Sequence, residues 1–166
     1  MFNAHEMKRR LVQSGIASPD HIRGCTHMEV ESLERCFGLE LPSAYKDFLY
    51  SFGHSAGGFW RDLEFTLDKL EWNNREMREI LAELEEVDLT LPQKGFVFGS
   101  RHGEQFLFFL ADGKNQNPPI YHFLIGYSEF RKACDTFWEA IEGELEICEQ
   151  AYKDVPPGIF PWMRHC

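Results

Sequence analysis

The sequence contains no apolar run close to the roughly 20 residues that a membrane-spanning helix requires. Its longest, FLFFLA at residues 106–111, has the length of a buried strand. The opening decapeptide MFNAHEMKRR carries no apolar segment beside its basic residues, so no secretory signal is expected. Positive charge is scarce: 17 Lys and Arg stand against 27 Asp and Glu, a net charge of -10. DNA, RNA and anionic membranes are bound by basic side chains that displace counterions, so none of these partners is expected. A C-x-x-C pair is absent. The five cysteines, Cys25, Cys36, Cys134, Cys148 and Cys166, are odd in number and far apart, which points to reduced thiols in a cytoplasm. Cys36, Cys134 and Cys148 have apolar neighbours and are expected to fill the core. No two histidines stand at helical metal-ligand spacing. His21 and His27 lack thiolate company and are expected to be solvated, so neither a zinc site nor any cofactor is expected. Gly57-Gly58 has no Lys-Ser/Thr after it and is no phosphate loop.

What is present is a globular sequence. Its 166 residues are 43% hydrophobic, with 15 phenylalanines, enough for one domain over 1–166 with a real core. A first helix is expected over residues 3–14, before Gly15, and a turn or short helix at Ser18-Pro19-Asp20. Thr26 and Glu29 form a T-x-x-E capping box. Val30, Leu33 and Phe37 follow at helical spacing, and Gly38 supplies the stop. Ser43 is the expected N-cap of the next helix. Tyr45, Phe48, Leu49 and Phe52 form its apolar face and Gly53 closes it.

Residues 63–67 suit a short strand. Residues 70–86 suit an amphipathic acidic helix with Met77, Ile80, Leu81 and Leu84 inward. Strands are expected at 95–100, 105–112 and 120–125, with a hairpin turn at His102-Gly103. The strand at 105–112 is apolar on both faces, so it is expected to be central and covered on both sides. Ser128 is the expected cap of a last helix carrying Phe130, Cys134, Phe137, Ile141, Leu145 and Cys148 inward. The tail DVPPGIFPWMRHC holds too much proline for a helix. Helices, then hairpin strands, then a closing helix make an α+β fold: N-terminal helices, a mainly antiparallel central sheet and a C-terminal helix packed on it.

Residues 53–57, GHSAG, match the G-x-S-x-G nucleophile elbow, which would make Ser55 a catalytic serine. An elbow needs a strand before the serine and a helix after it. Here a helix precedes Ser55 and GGFWRDLEF follows, so a serine hydrolase is only a minor alternative. His102-Gly103-Glu104 matches the H-x-E of zinc deaminases, but the completing P-C-x-x-C is absent.

The acidic residues remain. Glu83, Glu85, Glu86 and Asp88 form one group. Glu139, Glu142, Glu144 and Glu146, with Glu149, form another. Each is either a solvated face or a docking surface for a basic protein, with electrostatic steering of the encounter. Trp60, Trp72, Trp138 and Trp162 are expected to be mostly core or half-buried; an exposed one beside an acidic patch would make an interface anchor.

The block VESLERCFGLELPSAYKDFLYSFGHSAGG, residues 30–58, resembles the opening of the SUKH superfamily. Leu33 and Glu34 match its "LE", Gly38 its glycine, Leu41 and Pro42 its "LP", Tyr45, Lys46, Phe48 and Leu49 its "YKxFL", and Gly57 and Gly58 its glycine turn. The later QFLFFLAD, PPIYHF and TFWEAIEGEL are similar to its strand pair and closing helix. Residues 70–92 are more helical and acidic than the pattern requires, and residues 155–166 have no counterpart in it. The resemblance implies an α+β fold and, for most bacterial members, an immunity role: a cytoplasmic protein that binds and blocks a toxin, often a nuclease, delivered by a neighbouring cell. It brings no catalytic residues. The expectation is therefore a non-catalytic protein whose partner is a basic toxin domain. The alternative is a scaffold or regulatory module of the family's fungal branch, which regulates the cell wall.

Overall fold

Helix starts follow the side chains able to cap them. In the computed structural model, which describes residues 1–85 and 87–153, α1 (Ala4–Gln13) begins at Asn3, whose Oδ1 accepts from Glu6 N at 3.0 Å. α2 (His27–Phe37) begins with the complete Thr26–Glu29 capping box and ends at Gly38 in the left-handed conformation. α3 (Ser43–Phe52) departs from expectation. Ser43 is its first helical residue rather than its cap, and Pro42 ahead of it offers no side-chain oxygen. Gln116 caps the helix from far along the chain. Its Oε1 accepts from Ser43 N at 2.8 Å and its carbonyl from Ala44 N at 2.9 Å.

The main sheet is an antiparallel meander in the order β3 (Gly95–Arg101), β4 (Gln105–Leu110), β5 (Ile120–Leu124), β6 (Arg131–Cys134). A two-residue ribbon pairs β1 (Ile22–Arg23) with β2 (Ser55–Ala56). The β3–β4 hairpin turns on His102 and Gly103, both at positive φ, as the right-handed twist of the strands requires. β4 is central as expected. Phe109 and Ala111 face one core, Phe106 and Phe108 the other.

The larger core is aromatic. Tyr45 and Phe48 of α3 meet Phe98 and Phe109 of the sheet and Phe137 of the closing helix, α5 (Phe137–Tyr152). α1 and α2 complete this layer through Met7, Leu11, Val30 and Leu33. On the opposite face, Met77 and Leu81 of α4 (Leu67–Glu83) pack on Val97, Phe106, Phe108 and Phe123. This is the expected α+β arrangement.

Four local expectations are corrected. The closing helix starts at Phe137, not near Ser128, because Thr136 is the residue that caps it, accepting from Glu139 N at 3.2 Å. Arg131 to Cys134 instead extend the sheet, and Phe130 packs in the smaller core against Phe108 and Phe123. Residues 63–67 form no strand; a lone bridge joins Glu64 to Ser100, and Leu67 already begins α4. The helix expected over 70–86 therefore spans Leu67–Glu83. Among the cysteines, Cys36 is exposed and Cys25 is the buried one, while Cys134 and Cys148 are half-buried. Residues 154–166, with Trp162 and Cys166, lie outside the described residues, as does Glu86.

Candidate interaction surface

The block of residues that carries the family resemblance is held by one carboxylate. Glu34 on α2 accepts from Leu41 N at 2.8 Å and pairs with the Lys46 ammonium at 3.4 Å. It thereby fixes the turn at Leu41-Pro42 and the angle between α2 and α3. Tyr45 is then driven fully into the core. Burial pushes its ionisation well above the ordinary tyrosine value, and its hydroxyl has no hydrogen-bond partner among the described residues.

Ser55 has none of the geometry of a nucleophile. It opens β2 after a helix, and its hydroxyl donates to the His21 carbonyl at 2.6 Å. Its proton is committed to a backbone oxygen rather than to an imidazole. Gly57 N donates back to the same Oγ at 3.3 Å, so the serine ties a loop together. Gly53, at the end of α3, has an ordinary helical φ; what excludes a side chain there is the close approach of Cys25. His102, Gly103 and Glu104 lie in the β3–β4 hairpin.

The acidic residues of α5 divide by partner. Glu142 and Glu149 converge on Arg10 of α1, with Arg10 Nε donating to Glu149 Oε1 at 2.9 Å. Glu144 accepts from Trp60 Nε1 at 3.0 Å and lies 3.8 Å from Arg101, which also pairs with Asp62. These carboxylates help dock α1, the Trp60 segment and β3 onto α5. Glu139 and Glu146 are exposed and form no salt bridge among the described residues. The same holds for Glu83, Glu85 and Asp88 at and beyond the end of α4. α4 and α5 pack on opposite faces of the sheet, so the two acidic groups do not merge into one patch.

α4 supplies a surface that the sequence did not single out. Leu70, Asn73, Asn74, Met77 and Leu81 face inward. The outward line runs Asp68, Trp72, Glu76, Glu79, Glu83, at steps of three and four residues, which keeps one helix face. At 1.5 Å per residue it is about 20 Å long. Trp72 is 50% exposed, the most exposed tryptophan of the described residues, with the Arg75 guanidinium 5.0 Å from its ring centre. A cavity of about 360 Å³ opens beside it, lined by Arg61, Asp62, Glu64, Glu76 and His102. The available signal was positional: Trp72 falls two residues from Leu70, off the apolar stripe. A large aromatic there is left to solvent.

At the C-terminal end of α4 the placement of charge runs against helix energetics, although Asp68 in the first turn is favourably placed. Its last turn contains no basic residue, and Glu83 stands at the negative end of the helix dipole. A carboxylate there costs about 0.3–1 kcal/mol.

A family model described as "SMI1 / KNR4 family (SUKH-1)" matches residues 24–143. The match covers α2, α3, β2, α4 and all four strands of the main sheet, and reaches the first turns of α5. No curated protein matches the chain.

Proposed function

The chain belongs to the SMI1/KNR4 family, SUKH-1, and from that premise we propose that it is a cytoplasmic immunity protein. It binds a toxin domain and blocks it without catalysing a reaction. The partner is basic, a nuclease whose positive substrate channel matches the charge of this chain. The observation that carries this reading is the outward face of α4, with one exposed tryptophan at the head of a row of carboxylates. Tryptophan is the side chain most often found as the anchor of a protein interface, and a surrounding row of like charge steers an oppositely charged partner. No helix among the described residues is long and apolar enough to cross a membrane.

Trp72, Glu76, Glu79 and Glu83 are the contact residues in this reading, with Glu85 and Asp88 continuing the charge beyond the helix. Glu139 and Glu146 form a separate, second group on α5. Glu142 and Glu144 serve within the chain.

Co-expression with a panel of basic nuclease toxin domains tests the proposal. Cells carrying the matching toxin survive only when this chain is present, and the two purified proteins form a stoichiometric complex. Failure to protect against any toxin, together with stable complexes with endogenous regulatory proteins, would move the chain to the scaffold class.

A further inference from the structure

Cys25 and Glu29 stand four residues apart at the start of α2, and His54 reaches them from the far end of α3. Cys25 lies in the loop between β1 and α2, Glu29 lies in the first turn of α2, and His54 joins α3 to β2. A sulfur, a carboxylate oxygen and an imidazole nitrogen from these residues all lie within 4.8 Å of one another. We propose that Cys25, Glu29 and His54 form a three-ligand site for a thiophilic divalent cation of the Zn²⁺ class, with water completing a tetrahedron.

The donor set selects the cation. Sulfur with imidazole and one carboxylate suits Zn²⁺ and its spectroscopic substitute Co²⁺, whereas Mg²⁺ and Ca²⁺ require oxygen ligands. Bonds of about 2.0–2.3 Å place tetrahedral ligand atoms about 3.3–3.8 Å apart. Side-chain adjustments of about an ångström close the present group onto an ion.

The backbone holds the ligands in place. Cys25 N and Gly53 N both donate to the Leu49 carbonyl, at 2.8 and 2.9 Å, and His54 N donates to Arg23 O at 3.0 Å. A glycine precedes each of Cys25 and His54. A Cβ on Gly24 would lie 1.7 Å from Tyr50 O, and one on Gly53 would lie 2.3 Å from Cys25 Sγ. Both glycines are therefore needed for the two segments to touch. Glu29 is oriented from behind, since its Oε2 accepts from Thr26 N at 2.8 Å and Thr26 Oγ1 at 3.2 Å. Its Oε1 then lies 3.1 Å from His54 Nε2. Such outer bonds fix the direction of a metal-binding carboxylate. Cys25 is buried while Glu29 and His54 are 37% exposed, so an ion enters from solvent with sulfur at the floor.

Binding releases the thiol proton to solvent and forms the sulfur–metal bond; His54 carries its proton on Nδ1 and offers Nε2. The site is independent of the toxin-binding reading, because it lies where the start of α2 meets the segment after α3 rather than on the outward face of α4.

Titration of the full, reduced chain with Co²⁺ tests the site. The expected result is a thiolate-to-cobalt absorption band in the near ultraviolet that saturates at one equivalent and is abolished by Zn²⁺. Cys25→Ser removes the band. His54→Ala, at a half-exposed position where folding is easily preserved, weakens binding at least tenfold with an unchanged circular dichroism spectrum. Cys36→Ser and Cys166→Ser leave the band intact. Absence of the band in the folded native chain overturns the proposal, as does a band that survives in Cys25→Ser or full affinity in folded His54→Ala.

Discussion

The carboxamide of Asn74 pairs with the backbone of Val97 as a neighbouring strand would. Asn74 Nδ2 donates to Val97 O at 2.8 Å, and Val97 N donates to Asn74 Oδ1 at 2.8 Å. Both groups are buried. β3 is an edge strand, and apart from the lone Glu64–Ser100 bridge its outer polar groups have no strand to pair with. A helix side chain closes that edge and positions α4, which carries the proposed contact face.

Replacing Asn74 should therefore be costly. Asn74→Leu strands one donor and one acceptor and is expected to lower the unfolding free energy by about 2–4 kcal/mol. Asn74→Asp, which keeps an acceptor but loses the donor to Val97 O, should not restore it. Urea denaturation of the three chains measures this, and a loss below about 0.5 kcal/mol in Asn74→Leu would refute the edge-closing role.

Tyr45 predicts the opposite sign. Its hydroxyl is buried without a partner among the described residues. Tyr45→Phe removes an unsatisfied polar atom and keeps the ring packed on Phe98, Phe109 and Phe137. The expected outcome is unchanged or higher stability, by up to about 1–3 kcal/mol. A clear drop in Tm would show that the hydroxyl is satisfied in solution.

Ser55 should prove structural. Purified chain is expected to show no serine-dependent turnover of activated esters. Ser55→Ala should cost about 1 kcal/mol through the lost bond to the His21 carbonyl. Ester hydrolysis that vanishes in Ser55→Ala would restore the hydrolase reading.

His122 on β5 gives a pH test. Burial, with the nearby Arg131 guanidinium, lowers its pKa below the ordinary histidine value. A depressed folded pKa means that the unfolded chain takes up the proton first. The stability contributed by neutral His122 is thus complete above the ordinary histidine range and falls as pH drops through it. Imidazole resonances followed by NMR should show His122 titrating at lower pH than a free histidine; a midpoint at or above the free value would contradict this.

Much of the fold was legible because it rests on local signals. The Thr26–Glu29 box, the Gly38 stop, the apolar face of α3 and the His102-Gly103 turn all act within a few residues. So did the two-faced apolar pattern of β4, which placed it at the centre of the sheet. The errors came from partners distant in the chain. Gln116, not Ser43, caps α3. Strand pairing with β5 claimed Arg131 to Cys134, although Phe130 and Cys134 fit the helical spacing of α5. Asn73 and Asn74 are polar residues buried by backbone groups elsewhere: Asn73 Nδ2 donates to Glu64 O at 2.6 Å.

The candidate surface was legible in part. Charge count exposed the acidic groups, yet it could not separate Glu142 and Glu144, which bond to Arg10 and Trp60, from Glu83 and Glu146, which point to solvent. Trp72 was one of four tryptophans until helical geometry placed it outward beside Glu76.

The most direct test of the central claim is the affinity of the purified chain for the toxin domain against which it protects. It should be measured for the native chain, for Trp72→Ala, and for Glu76, Glu79 and Glu83 reversed together to Lys. Loss of an interface anchor predicts a fall of about 30-fold or more for Trp72→Ala, and charge reversal predicts slower association with a weaker salt dependence. Reversal of Glu139 and Glu146 should have the smaller effect. Native affinity and rate in both α4 variants would contradict the account and move the interface off this helix.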